Sequence, residues 1–210
     1  MLSRMTLEKF AETLAAPTPT PGGGSASAQA GSMAAALVQM VCDLTIGREA
    51  YSAHDEEVRA IRARADGLRR DLLALVDRDA QAYEEVLRAV RLPKGTDVEK
   101  QARTEAIERA NLFAIETPLA IADACAALMG MASELASKGN ANAVSDVGTA
   151  ALLGYAGLRG GLLTVRINLK GVKDEARAAK LRDRVRRLEV DSERLREEAL
   201  TAVFVRGNTR

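Results

Sequence analysis

The chain has no tryptophan, one histidine and two cysteines in 210 residues, and only 3% of it is aromatic. So few aromatics remove the stacking platforms on which single-stranded nucleic acids are usually held. Lys and Arg number 30 against 29 Asp and Glu, a formal net charge of +1. No global field therefore draws the protein towards nucleic acid or a membrane surface. A lone histidine, His54, cannot build a His–Cys zinc cluster, and a Ser-His-Asp triad would need a better-placed one. Acid–base chemistry falls to Asp, Glu, Lys or Tyr, and no metal is expected. Cys42 and Cys125 stand in alanine-rich helical sequence without ligand spacing, as small buried hydrophobes of a reducing compartment. Met1-Leu2-Ser3-Arg4-Met5 has no long apolar core and no cleavage site, so no signal peptide is expected and the location is read as cytoplasmic. The run 147–165 carries Arg159 as its one charge and approaches transmembrane length. Its glycines and amphipathic neighbours fit a central buried helix instead, so no membrane partner is expected.

What the chain does have is organised around Pro17 to Tyr51. Three of its five prolines fall within Pro17–Pro21, followed by Gly22-Gly23-Gly24-Ser25 and an alanine-rich apolar run. The prolines stop any preceding helix, the glycines let the backbone turn, and Ser25 can cap the helix beyond them. Such a start leaves several N–H groups converging on one place, either as a simple cap or as a nest for a ligand. Nucleotide loops are excluded. A Walker loop needs a Lys before Ser or Thr, and a dinucleotide fingerprint needs a preceding strand and a glycine where Ser27 stands.

Hydrophobic spacing predicts helices throughout and no strand alternation, hence an all-α fold of one domain over 1–210, a bundle of about six or seven helices. The first helix, Thr6 to Leu14, carries Leu7, Phe10, Ala11 and Leu14 on one face as an N-terminal flap. The second runs from Ser25 to Ile46, apolar nearly all round, with Gly47 as its stop. The third starts near Ser52, with Asp55 completing a capping box, and reaches Val90. Thr96 and Glu99 form a capping box for a fourth helix to Glu116, and Pro118 kinks or restarts the chain into a fifth segment, Leu119 to Ser137. Ser145 or Asp146 caps a sixth from Val147 to about Lys170, although Leu163–Lys170 is β-prone in isolation. Asp174 caps the last, to about Val205. The third and last helices, both heptad-patterned, are expected to be two long antiparallel partners.

Three features interrupt these patterns. The stripe of the third helix reads Val58, Ile61, Ala65, Leu68, Leu72, Leu75, then Asp79, then Ala82, Val86 and Ala89. A carboxylate at that position either has its pKa raised by desolvation or is paired, unless the stripe drifts to Val76, Ala80, Tyr83 and Leu87 and turns Asp79 to the edge. Ala150, Gly154, Gly157, Gly161, Thr164 and Asn168 make one smooth face on the sixth helix. Glycines cost about 1 kcal/mol each inside a helix, so another helix or a flat ligand must approach closely there. Lys94 lies in the tight turn Leu92-Pro93-Lys94-Gly95, one chain reversal from the Asp79 helix.

Six blocks in order, Pro19–Ser25, Leu44-Thr-Ile-Gly47, Asp77-x-Asp79-Ala-x-Ala-Tyr83, Arg91-Leu-Pro-Lys94, Gly139-Asn-x-Asn-Ala-Val-Ser-Asp146, and Val165–Lys170 with Asp174-Glu175, resemble the cyclodeaminase/cyclohydrolase family of folate enzymes. The resemblance covers about residues 5 to 200. It implies an all-helical homodimer that binds a tetrahydrofolate derivative as substrate in a groove involving the glycine turn and the subunit interface, without metal. It further implies cyclodeamination of 5-formiminotetrahydrofolate to 5,10-methenyltetrahydrofolate with release of ammonia, the alternative being the 5,10-methenyltetrahydrofolate cyclohydrolase reaction. A helical folate-binding protein or scaffold without turnover is a further alternative. On that reading Asp79, Lys94 and Asp146 are the catalytic candidates: Asp79 steadies the methenyl cation and shuttles the N10 proton, and Lys94 protonates the leaving amine or polarises the attacked centre. Asp146 holds the pterin N–H groups. Gly22, Gly23, Gly24, Ser25, Arg166 and Asn168 are the substrate-binding candidates, with Arg166 or Lys170 at the glutamate carboxylates. Tyr83 stands where a Phe is frequent in the family, and glycine is denser than expected on the sixth helix.

Overall fold

A computed structural model describes residues 1–207. It contains six α-helices, joined by short 3-10 turns, and no strand among the described residues: α1 Leu7–Ala15, α2 Gly23–Asp43, α3 Asp55–Val90, α4 Asp97–Lys138, α5 Val144–Asn168 and α6 Glu175–Arg206. α2, α4 and α5 pack against one another at the centre; α3 lies across α2 and α4, and α6 across α4 and α5. The core is aliphatic, with Leu72, Ile121, Leu128, Met129, Leu135 and Leu158 fully buried.

Several element boundaries depart from the sequence expectations for local reasons. Pro118 neither kinks the chain into two helices nor restarts it. α4 runs unbroken for 42 residues with Pro118 buried inside it, so the described residues form six helices and not seven. The Ala114 carbonyl, which Pro118 leaves without a backbone donor, receives Asn168 Nδ2 of α5 at 2.7 Å. The long antiparallel pair is α3 and α4, joined by the tight turn 91–96, whereas α6 packs on α4 and α5 and not on α3. Heptad spacing states that a helix has a partner face but not which helix fills it. α4 is also the one helix among the described residues long and apolar enough to cross a membrane, and its apolar stretch lies mostly inside the bundle.

Two expected caps are confirmed: Thr96 and Glu99 form the reciprocal capping box, and Asp174 accepts from Arg177 N; Thr6, expected inside the first helix, is instead its N-cap and accepts from Lys9 N. Three other caps fall elsewhere. Gly22, not Ser25, is the N-cap of α2. Ser52 does not cap α3, and the Asp55 carboxylate instead receives the N–H of Gly47, which sits at φ +76 beyond the end of α2. α5 begins at Val144, so Ser145 and Asp146 lie within its first turn and cap nothing. Asn140 caps the preceding 3-10 turn by accepting from Asn142 N, while its own N–H donates to Thr45 Oγ1 at 2.9 Å. The β-prone end of α5 is helical to Asn168, because Val165 and Leu162 are buried in the bundle.

The N-terminus is pinned to α3, where Asp77 accepts from Leu2 N and from Ser3 Oγ, both at 2.5 Å. α1 itself buries no residue. Of its apolar face Phe10 packs half-buried against the core, while Leu7, 75% exposed, and Leu14 stay open, so the flap is seated through Phe10 alone.

The glycine face of α5 meets helices. A Cβ on Gly157 would stand 2.7 Å from Cys125 Sγ and 2.8 Å from Ser27 O, and one on Gly161 would stand 2.7 Å from Pro118 O. α2 and α4 thus fit directly against the α5 backbone, which offsets the helical cost of the glycines. Both thiols are buried, which pushes their pKa up to about 12 and leaves them as inert packing groups.

Candidate functional site

Where the glycine turn meets α3, the smooth face of α5 ends in a pocket. The chain arrives through Pro17–Pro21 and enters α2 at Gly22. Pro19, Thr20, Gly22, Gly23 and Gly24 form one wall; Asp79, Ala82, Tyr83 and Val86 of α3 form the second; Asn111 and Ala114 of α4 with Thr164 and Asn168 of α5 close the third. The cavity measures about 290 Å³.

Asp79 and Gly24 fit together as a unit. A Cβ on Gly24 would stand 2.0 Å from Asp79 Oδ1, 2.5 Å from its Cγ and 2.7 Å from Oδ2, so only a glycine leaves room for the carboxyl. Ser25, fully buried, places its Oγ 2.9 Å from Asp79 Oδ2 and 3.0 Å from Val76 O. One hydroxyl proton serves two acceptors. With Asp79 ionised, Ser25 donates to the carboxylate; with Asp79 protonated, Ser25 accepts from it and donates to Val76 O. The carboxyl can therefore change protonation state without losing its partner. Burial raises the pKa of Asp79 above the ordinary carboxylate value, and the hydroxyl and backbone N–H of Ser25 pull it partly back. Along α3, Val76 joins the buried stripe while Tyr83 stays outside, so Asp79 sits at the margin of the seam, half-buried and open to the pocket.

The described chain brings together Asp79, Gly22, Gly23, Gly24, Ser25 and Asn168. It does not bring Lys94, Asp146 or Arg166 to them. Lys94 is exposed in the turn beyond α3, whose axis alone runs about 16 Å from Asp79 to Val90. Asp146 is in the first turn of α5 and Asn168 in its last, about 33 Å apart along the helix. Arg166 projects from the other side of α5 and pairs with Glu189 of α6 through Nε at 2.8 Å and Nη2 at 2.5 Å. Helical geometry explains that difference: Thr164 and Asn168 share a face, and Arg166, two residues from each, cannot. Among the described residues no group of three or more His, Cys, Asp or Glu is arranged to hold a metal.

Asn111, Thr164 and Tyr83 also line the pocket, although none is among the binding residues expected from the sequence. Thr164 is legible there as the continuation of the glycine face. Asn111, a polar residue between Ala110 and Leu112 in apolar helical sequence, offers a weak signal. Its pairing with α5 depends on how α4 and α5 pack.

A helical bundle that sets a half-buried carboxyl on a bare glycine backbone, beside a hydroxyl able to follow its proton, is a candidate acid–base site of the all-α class. The sequence profile described as formiminotransferase-cyclodeaminase matches residues 6–187, and the chain belongs to that family. It is 42% identical over 176 residues to a methenyltetrahydrofolate cyclohydrolase of Methylorubrum extorquens, covering 84% of this chain and 85% of that one. It is 37% identical over 154 residues to the formimidoyltransferase-cyclodeaminase of Sus scrofa, covering 73% of this chain but 28% of that longer protein. The crystal structure of formiminotetrahydrofolate cyclodeaminase from Thermotoga maritima superposes with a TM-score of 0.87 at 26% identity, over 97% of this chain and 98% of that one.

Proposed function

We propose that this protein is a folate one-carbon enzyme acting at the N5–N10 bridge of tetrahydrofolate, with Asp79 as its acid–base group. The observation that carries this reading is the Asp79 carboxyl held on Gly24 and Ser25 at the pocket wall. The family's two reactions share a tetrahedral carbon between N5 and N10. In the hydrolase direction water adds to the methenyl carbon, the bond to N5 breaks, one water proton ends on N5 and the other is released. In the deaminase direction N10 adds to the protonated formimino carbon, its proton passes to the departing nitrogen, and ammonia leaves. Each needs one group that takes a proton and returns it beside a delocalised cation. A carboxyl with a raised pKa and a responsive partner suits that role.

Of the two, we place the cyclohydrolase reaction first, supported by the relative in Methylorubrum that matches along most of both chains. The structural neighbour in Thermotoga supports cyclodeamination as the second reading. The test is to supply 5,10-methenyltetrahydrofolate and 5-formiminotetrahydrofolate separately and follow the methenyl absorbance. Accelerated decay of the first selects hydrolysis, and growth from the second with ammonia release selects deamination. Folate binding with neither change would sink the enzymatic reading.

We further propose a cytoplasmic homodimer. Leu7 of α1 and Met33 and Met40 of α2 are exposed apolar side chains that a second copy would cover. Light scattering that returned a monomer mass at working concentration would end the dimer proposal, and subcellular fractionation checks the location.

A further inference from the structure

Pro118 and the Asp79 pocket are joined through one side chain. A proline has no N–H, so inside α4 it cannot bond the carbonyl four residues back, that of Ala114. The Thr117 hydroxyl beside it donates to Phe113 O at 3.0 Å. Ala114 O instead receives Asn168 Nδ2 at 2.7 Å, from the last residue of α5. Close approach of the two helices makes that reach possible. A Cβ on Gly161 would stand 2.7 Å from Pro118 O, and Asn168, two helical turns further on, shares the face of Gly161. A second bond crosses the other way, from Asn111 Nδ2 of α4 to Gly171 O just past α5, at 3.2 Å. Together the two bonds tie the end of α5 to α4.

Asn168 also lines the pocket, beside Ala114 and Thr164. Its amide has two ends of opposite character, one a donor and one an acceptor. Ala114 O selects between them, because the flipped amide would set two oxygens against each other at 2.7 Å. Nδ2 therefore faces α4. Oδ1 accepts no hydrogen bond among the described residues and is not a buried orphan, so it stays open to an incoming group. A backbone N–H at position 118 would compete for Ala114 O, and the proline supplies none. It thereby fixes which end of the amide the pocket presents. A side chain already held in one rotamer gives up less freedom when a ligand binds.

We propose that Pro118 is a positioning residue of the pocket that acts through Asn168: it keeps Ala114 O free to hold Nδ2, so that Oδ1 accepts an N–H of the substrate. This inference rests on the folate one-carbon reading and deepens it. The proline acts from behind the site, since its own ring is buried in the bundle and forms no part of the pocket wall.

The experiment compares the wild type with Pro118→Ala, Asn168→Ala and the double variant. Each is followed in thermal unfolding and in steady-state kinetics on 5,10-methenyltetrahydrofolate or, if that is not converted, 5-formiminotetrahydrofolate. Asn168→Ala removes the acceptor and should raise KM about tenfold, equivalent to about 1.4 kcal/mol, with kcat little changed. Pro118→Ala returns an N–H to Ala114 O and lets the amide turn, which should raise KM about threefold without lowering Tm. In the double variant KM should equal that of Asn168→Ala, because Pro118 acts through that side chain. Unfolding supplies the structural half of the same cycle: Asn168→Ala should lower Tm in the wild-type background and leave it in place in the Pro118→Ala background. An unchanged KM in Pro118→Ala, or a multiplied loss in the double variant, overturns the positioning role and leaves the one-carbon reading standing. If Pro118→Ala does not fold, Asn168→Ala decides: a lowered Tm with a raised KM upholds the proposal, and either value unchanged overturns it. A wild-type protein that converts neither folate overturns the one-carbon reading and this inference with it.

Discussion

Gly24 and Gly23 are adjacent in sequence, yet substitution by alanine should affect them in opposite directions. A Cβ on Gly23 meets nothing within 4 Å, whereas on Gly24 it would stand 2.0 Å from Asp79 Oδ1. Gly24→Ala must therefore expel the carboxyl from its seat and break its bond to Ser25. Hydrogen bonds to charged groups contribute about 1.5–3 kcal/mol. Overpacking costs about 1–3 kcal/mol, and the helical preference for alanine returns about 1 kcal/mol. The balance is a destabilisation of about 2–5 kcal/mol, which for a chain of this size lowers Tm by about 4–20 °C. Gly23→Ala, which meets no neighbour, should instead be neutral or stabilising by up to about 1 kcal/mol. Thermal unfolding followed by circular dichroism, with turnover of 5,10-methenyltetrahydrofolate, checks both. Gly24→Ala should lose at least about a hundredfold in kcat/KM, about 2.7 kcal/mol of transition-state stabilisation. If Gly24→Ala melts with Gly23→Ala and keeps wild-type turnover, the carboxyl does not depend on the bare backbone and the site is built on something else.

The same geometry sets three further outcomes. Asp79→Asn should keep the helical signal and lose most activity. Because the folded-state pKa of Asp79 lies above its unfolded value, the folded protein holds that proton more tightly. Stability from this group is full below about pH 3.8 and falls as pH rises through the raised folded-state pKa, a decline that unfolding curves of Asp79→Asn should lack. Ser25→Ala removes a partner that holds the Asp79 pKa down, so the ionisation assigned to Asp79 in the pH–rate profile should move to higher pH; a profile that stays in place or moves lower contradicts the pairing. Gly157→Ala, whose Cβ would meet Cys125 Sγ and Ser27 O, should cost about 1–3 kcal/mol in denaturant unfolding, and an unchanged midpoint would show that α2 and α5 can part without cost.

The all-α class, the Thr96–Glu99 capping box, the Asp174 cap and the glycine face of α5 were legible because they depend on residues close along one helix. Thr96 and Glu99, or Asp174 and Arg177, are brought together by helical geometry alone. So is the misfit of Asp79 in the apolar stripe of α3. Pro118 misled because an internal proline carries a local cost, and only the packing of α5 on α4, which brings Asn168 Nδ2 to the freed Ala114 carbonyl, shows how that cost is met.

The sequence by itself therefore determined the helices, most of their ends and the presence of a carboxyl where the core expected an apolar side chain. The tertiary structure alone decided which separated residues meet. It set Gly24 beneath Asp79, turned Ser25 from a cap into the partner of that carboxyl and brought Asn111 of α4 to the C-terminal end of α5. It also left Lys94, Asp146 and Arg166 elsewhere in the chain. The physical reason is that hydrogen-bonded turns and helical periodicity are fixed by neighbours a few residues apart, whereas a site built from four segments depends on how closely glycine and alanine faces let whole helices approach.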